Sequence, residues 1–359
     1  SQGQLSHRNL IINGAMQVAQ RGTTTTQATG FLIDRFNVEN GNVDENSTVT
    51  QADVGSGTTP YTLGFRKALK VQNGNQTSGA GASDYIQIFY RFEAQDMADS
   101  GWNYKSTSSF ITLSFWIKSS VAQVFSGSLR SRDGTALSYK FDTPSLSADT
   151  WTKVTYTIPG NSNLQFDNDV NDGFNIFLYP FIGTTYTSSN ANTETWITAA
   201  TDTYANNMTT TWYTTNDATF EITGVQFEVG SVATPFEHRT FGDELARCKR
   251  YYNKVFDAEG QSGEKPASLA VYETSSAVTT IFNFPKMRVV PSLDITNGTN
   301  KFMVRSNSVS DHFDTMTLRY GTTQTAEIVA SSGVSGTAGY GGFLRSADTD
   351  VYIAFSAEL

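Results

Sequence analysis

Cysteine and histidine are almost missing from this sequence: 359 residues hold one cysteine, Cys248, and three histidines, His7, His238 and His312. A lone cysteine excludes an internal disulfide framework and a cysteine-built zinc site. The histidines lie far apart and match no metal-ligand spacing. Charged residues are sparse at 16%, and 25 Lys and Arg stand against 34 Asp and Glu, a net charge of −9. That acidic balance offers no electrostatic footprint for nucleic acid. No apolar run approaches the ~20 residues that a membrane span needs. Residues 1–30 have neither a basic n-region nor an apolar h-region, so no secretory signal is expected. Gly-x-Ser-x-Gly and a phosphate-binding Gly-x-x-x-x-Gly-Lys loop are both absent, and no cofactor is expected.

What the sequence has instead is Thr, Ser, Asn, Gly and aromatic residues: 48 Thr, 36 Ser, 24 Asn and 29 Gly, with 13% aromatics. Such a chain is poor in helix formers and rich in strand and turn formers, which excludes an all-α or alternating βαβ fold. Strand-like runs recur through the first 230 residues. In 110–117, Ile111, Leu113, Phe115 and Ile117 share one face, and Trp116 points the other way. Val154, Tyr156 and Ile158 repeat the pattern. Residues 174–181 are apolar on both faces, as expected of a central strand, and 85–92 and 31–38 are further candidates. In 220–229, Phe220 and Ile222 keep one phase while Val225, Phe227 and Val229 keep the other. A one-residue slip at Thr223-Gly224 reconciles them, so a β-bulge is predicted there. The spacing of these strands points to an antiparallel β-sandwich of jelly-roll type.

One segment breaks the pattern. Thr240 and Asp243 resemble a capping box, acids precede bases, and Leu245, Cys248, Tyr252 and Val255 form one apolar stripe. The expected organisation is therefore mainly β: an N-terminal jelly-roll domain (1–238), a junction helix (239–256) and a smaller C-terminal β-sandwich (257–359). Strands are expected in that last region at 268–273, 278–284, 292–296, 302–305, 315–320, 325–329 and 351–355. Residues 331–343 contain five glycines and read as a long flexible loop carrying Tyr340 and Phe343.

Two stretches carry a resemblance. The opening, Asn9-Leu10-Ile11-Ile12-Asn13-Gly14-Ala15-Met16-Gln17-Val18-Ala19-Gln20-Arg21-Gly22, leads to Asp34-Arg35-Phe36. The closing stretch begins Phe220-Glu221-Ile222-Thr223-Gly224-Val225-Gln226-Phe227-Glu228-Val229-Gly230. It continues through Pro235-Phe236-Glu237-His238-Arg239 into the helix. Together they resemble tailed-phage virion proteins of the tail-fibre and appendage type, over about residues 9–256. The resemblance implies a jelly roll like a carbohydrate-binding module, assembly in the host cytoplasm without signal or disulfide, and location in the virion. It further implies a homotrimer that contacts other virion proteins and a host surface glycan. A capsid decoration or head-fibre protein is the alternative, and a glycan depolymerase a lesser one. Enzyme activity is not expected.

Sugar binding by a sandwich uses aromatic faces for stacking and a few polar groups for hydroxyls. Trp102, Tyr104, Trp196, Tyr204 and Trp212 lie in polar surroundings and, with Tyr340 and Phe343, are the candidate ligand-binding residues; rings covering the core edge are the alternative. His238 is expected to pack or hydrogen-bond rather than catalyse. Asp34, Glu93, Asp96 and Glu221 are possible glycosidase carboxylates without a signature, and Asp34 is better read as the ion-pair partner of an arginine. Residues 167–173 begin like a calcium loop, but the glycine is one place late and position twelve is Leu178, so a solvated turn competes with a structural calcium.

Overall fold

Alternation along one strand sets the first layer: on Phe110–Ser119, Ile111, Leu113, Phe115 and Ile117 are all fully buried. The computed structural model describes residues 7–188 and 193–359, which divide after Leu245 into two units. In the first unit, Phe110–Ser119 belongs to a six-stranded antiparallel sheet. Its order is Thr24–Thr26, Thr48–Asp53, Lys67–Gln72, Thr219–Val229, Phe110–Ser119, Thr152–Pro159. A seven-stranded antiparallel sheet faces it, in the order Trp196–Thr198, Leu137–Asp142, Ser126–Ser131, Asp172–Ile182, Tyr85–Glu93, Phe36–Gly41, Thr29–Gly30. Strands distant in sequence lie side by side, as jelly-roll crossovers require. Ile86, Ile88, Tyr90 and Phe92 from one sheet meet Leu113, Phe115, Ile222 and Phe227 from the other in a single core. Val154, Tyr156 and Ile158 join it as their alternation predicted.

Residues 31–38 divide differently from the expected strand. The strand begins only at Phe36, because Arg35 turns the chain with φ +73° and packs its guanidinium over the Tyr90 ring at 5.1 Å.

The predicted bulge is present. Thr223 pairs with Trp116 and Gln226 with Ser114, so one extra residue is inserted in Thr219–Val229. Gly224 sits there with φ +62°, and a Cβ on it would lie 2.6 Å from the Phe65 ring. Both phases of the strand thereby reach the core.

The opening and closing motifs, over 200 residues apart, form one latch. Asn9 Oδ1 accepts from Phe227 N at 3.0 Å, and Asn9 Nδ2 donates to Val225 O at 3.2 Å. Leu10 N donates to Phe227 O, and Val225 N to Gly14 O, both at 2.9 Å. Gly14 is required by that approach, since a Cβ would fall 2.1 Å from Val225 O. Asn13 uses its side chain twice on Val18 and once on Asp34 O, while its backbone N donates to Glu244 Oε1 at 2.6 Å. Arg239 closes the latch, donating to Asn9 O and Ile11 O and pairing with Glu237 and Glu244 at 3.3 and 3.4 Å.

The helix is shorter than expected. It spans Phe241–Cys248, with Asp243 N donating to the Thr240 hydroxyl at 3.2 Å as the cap. Its stripe does not continue to Val255, because Tyr252–Asp257 is a strand paired antiparallel with Tyr352–Ser356. Tyr252, Val255 and Phe256 favour a pleated partner over another helical turn.

The second unit is a smaller β-sandwich. A three-stranded sheet (Tyr252–Asp257, Tyr352–Ser356, Ser292–Ile295) shares a core with a seven-stranded one. The latter runs Val309–Phe313, Phe302–Ser306, Gly341–Ser346, Pro266–Thr274, Ala277–Asn283, Thr325–Ala330, Thr317–Gly321. Phe355 packs against Phe284 at 4.6 Å across the two layers. Every strand expected here is present. Residues 331–343 are a shorter loop than expected, because Gly341 and Gly342 already pair with Val271 and Ala270.

Gly224→Ala combines a positive-φ penalty with overpacking against Phe65, so unfolding in urea should show a loss of about 2–4 kcal/mol. Arg239→Ala strands two largely buried carboxylates and should cost about 3–5 kcal/mol. Burial pushes the Glu237 carboxyl up, but the Asn9 and His7 backbone amides and Arg239 outweigh it and hold it below its ordinary 4.5. The latch's contribution is therefore complete above pH 4.5 and lost as pH falls through the lower folded value. Urea midpoints at descending pH should fall more steeply for the parent than for Glu237→Gln.

Candidate functional site

The seven-stranded sheet of the first unit has a second face. On Tyr85–Glu93 the residues out of phase with the core are Tyr85, Gln87, Phe89 and Arg91. Register places Phe177 beside Phe89, Asn175 beside Arg91, and Glu39 beside Gln87. Ser128 and Arg130 of Ser126–Ser131 extend the same rows, opposite Phe177 and Asn175. Tyr186 and Tyr204, from the segment after Asp172–Ile182, stand over this floor. Phe89, Phe177, Tyr179 and Ile182 form a small separate cluster beneath them.

The result is a cleft of about 270 Å³ lined by Tyr85, Phe89, Phe177, Tyr186 and Tyr204 and by Glu39, Gln87, Arg91, Arg132 and Asn175. The rings are held edge to face: Tyr85 on Tyr186 at 5.6 Å, Phe177 on Tyr204 at 5.8 Å, Tyr186 on Tyr204 at 6.3 Å. Edge-to-face contacts immobilise rings while leaving other faces open for stacking. Glu39 accepts from the Tyr85 hydroxyl at 3.1 Å and from Gln87 Nε2 at 2.7 Å. Burial, with that carboxylate beside it, pushes the Tyr85 phenol up to about 12.

Cationic groups gather along one side. Arg132 and Arg91 approach the single carboxylate of Asp172 at 3.4 and 3.7 Å. Burial pushes Asp172 upward, with both arginines opposing. Arg130 lies against the Tyr204 ring at 3.7 Å, and burial lowers its guanidinium pKa.

A larger cavity of about 400 Å³ lies on the outer face of the six-stranded sheet, lined mainly by Phe65, Trp116, Pro235 and Phe236, with Ser114, Lys153 and His238. The His238 ring packs 5.0 Å from Phe65 and 4.9 Å from Phe236, and its Nε2 meets Leu63 O at 2.8 Å. Its apolar lining offers few groups to read sugar hydroxyls, so the smaller cleft is the better candidate.

Of the seven aromatics singled out in the sequence, one, Tyr204, lines that cleft. Trp102 and Trp212 are core residues and offer no stacking face, a correction to the expectation. Their indole N–H groups are satisfied inside, on Ser109 O at 3.3 Å and Thr219 O at 3.0 Å. Tyr104 packs on Phe166 at 4.7 Å. Trp196 packs on Tyr139 at 5.2 Å and donates to Pro159 O at 2.7 Å. Tyr340 and Phe343 belong to the second unit and are more than half exposed. Glu39, Tyr85, Phe89, Phe177 and Tyr186 were not singled out.

The carboxylates considered for glycoside cleavage sit elsewhere. Asp34 accepts from Gln20 N and Nε2, Glu93 from Gln95, and Glu221 pairs with Lys118 at 2.9 Å. In the 167–173 turn, Asp169 accepts from Asn171 and Asp133 from Asp167 N. Among the described residues no group of three or more His, Cys, Asp or Glu is placed to hold a metal ion.

No family model and no curated protein matches this chain. Solved structures do share its β architecture, at low similarity. One is a tailspike protein of bacteriophage CBA120, in its enzymatically active domain: 12% identity, TM-score 0.33, covering 62% of this chain and 21% of that one. The chain thus spans about a fifth of that tailspike's length. A second is a protein from Bacteroides thetaiotaomicron described as sugar-binding: 11% identity, TM-score 0.33, covering 62% of this chain and all of the other. A third is the N-terminal tandem CBM22 domain of Xyn10C from Paenibacillus barcinonensis: 11% identity, TM-score 0.28, with 98% of each chain covered.

Proposed function

We propose that this chain is a non-enzymatic glycan-binding appendage of a tailed-phage virion, a tail fibre that adheres to host surface sugars. The observation that carries the binding part is the cleft on the seven-stranded sheet. It combines five aromatic rings with amide, carboxylate and guanidinium groups on a rigid β floor, the mix that orients a sugar ring and reads its hydroxyls. Binding rather than cleavage fits its carboxylate. Glu39 is tied to Tyr85 and Gln87 and is the only acid among the described residues lining the cleft, where glycoside cleavage ordinarily uses two. The virion part rests on the opening and closing motifs, and with it go assembly in the host cytoplasm and contacts with other virion proteins. Adhesion then comes from many weak contacts multiplied by copies on one particle.

A homotrimer belongs to the same reading, and one surface supports self-association. On the outer face of the second unit's larger sheet, Leu269, Val271, Ile281 and Phe343 are each more than half exposed, with Leu269 directly opposite Phe343. Arg319, bound to Glu273 and Glu327, borders this apolar row with both signs of charge. A contiguous apolar row on a sheet face marks an interaction surface.

Tyr186→Ala removes one ring from the cleft and should weaken binding to glycans retained by the parent by about tenfold in affinity electrophoresis or calorimetry. The parent should release no reducing ends from those glycans; release would contradict a purely adhesive role. Light scattering should give the mass of three chains for the parent, and Leu269→Asp should shift it to one. A parent monomer would instead favour a decoration module that gains symmetry only on the particle.

A further inference from the structure

We infer that the cleft selects acidic glycans, sugars bearing a carboxylate or a sulfate, with Arg132 and Arg130 as the specificity-determining residues. This rests on the glycan-binding reading of the same cleft and adds the chemical class of its ligand.

Two arginines on that side share one carboxylate. Glu39 is occupied by Tyr85 and Gln87, which leaves Asp172 as the carboxylate that Arg91 and Arg132 approach together. Neither contact is close: Arg132 Nε stands 3.4 Å away and Arg91 Nε 3.7 Å. Arg132 is the more open of the two, its side chain 40% exposed at the cleft.

Arg130 is more deeply buried than either. Its relative exposure is 6%, and its Nε and Nη1 have no hydrogen-bond partner among the described residues. The contact from Nη2 to Ala200 O is stretched to 3.5 Å. A buried guanidinium with orphaned donors is costly, and an anionic acceptor is the group that best relieves it. Arg130 is opposite Asn175 in register and stands 3.7 Å from the centre of the Tyr204 ring, and both of these neighbours line the cleft. An acidic group entering beside Tyr204 meets Arg132 at the cleft and comes under the field of the buried Arg130 guanidinium that Tyr204 contacts. A neutral sugar hydroxyl is a weaker acceptor for these guanidiniums than a carboxylate or sulfate. The chain as a whole carries a net charge of −9, so long-range attraction does not bring an anion here, and the selectivity is local to these guanidiniums.

The test uses the full chain and matched pairs of probes that differ only in the anionic group. Oligogalacturonate is compared with its carboxyl-reduced form, and a sulfated galactan oligosaccharide with its desulfated form, by calorimetry in rising sodium chloride. At least one acidic member should bind about tenfold or more tighter than its neutral counterpart, and lose that advantage as salt rises. The pair that shows it tells carboxylate from sulfate. Arg132→Gln should lower acidic binding far more than neutral binding and so erase most of the preference, and Arg130→Gln should do the same. If Arg130→Gln lowers the melting temperature enough to unfold the protein, Arg132→Gln alone decides.

Equal binding within both pairs, with Tyr186→Ala weakening all of it, overturns the acidic selectivity and leaves the cleft as a glycan site. Equal loss of acidic and neutral binding in Arg132→Gln overturns its role in specificity. Failure of every probe to bind, or binding untouched by Tyr186→Ala, overturns the selectivity and the glycan-binding reading together.

Discussion

Everything in the first unit depends on a strand that arrives last. Thr219–Val229 lies between Lys67–Gln72 and Phe110–Ser119, so the six-stranded sheet has a gap in its middle until that strand is in place. It is held there by more than its ladder. The Asn9 side chain bonds its backbone at Val225 and Phe227, and Arg239 ties the following segment back to Asn9 and Ile11. These polar groups are buried and must find partners, and the two ends of the unit supply them to each other. The many contacts between strands remote in sequence make such a fold inherently slow to complete. The latch explains why the opening and closing stretches carry so distinctive a sequence: they are one structural feature written in two places.

The cleft follows from the same sheet architecture by another route. A strand has two faces, and when one is committed to a core the other is free for chemistry. On Tyr85–Glu93 the core takes Ile86, Ile88, Tyr90 and Phe92, and the cleft takes Tyr85, Gln87, Phe89 and Arg91. The floor is therefore as rigid as the sandwich beneath it. Asp172–Ile182 is apolar on both sides because both are covered: Phe174, Ile176 and Leu178 by the core, Phe177 and Tyr179 within the small cluster that underlies Tyr204.

That division explains which parts were legible in the sequence. Period-two alternation identified the buried faces of Phe110–Ser119 and Thr152–Pro159, since burial leaves a local signature. The phase change at Thr223-Gly224 identified the bulge for the same reason. The cleft left no such signature. Gln87 and Arg91 look like any solvent-facing residues, and only the lateral pairing with Glu39, Asn175 and Phe177 gathers them. Trp102 and Trp212 misled because polar neighbours suggested exposure, whereas backbone carbonyls at Ser109 and Thr219 allow their indoles to be buried. Tyr252–Asp257 and Gly341–Ser346 failed in one way: a helical stripe and a glycine-rich run each gave way to a strand partner elsewhere in the chain.

The latch also decides how the first unit meets a pull. His7 N and Glu237 are hydrogen-bonded, and Asn9 O is bonded to Arg239, so the chain enters and leaves this unit at one corner. Tension passed along the chain is borne across that corner, by Arg239 and its two carboxylates.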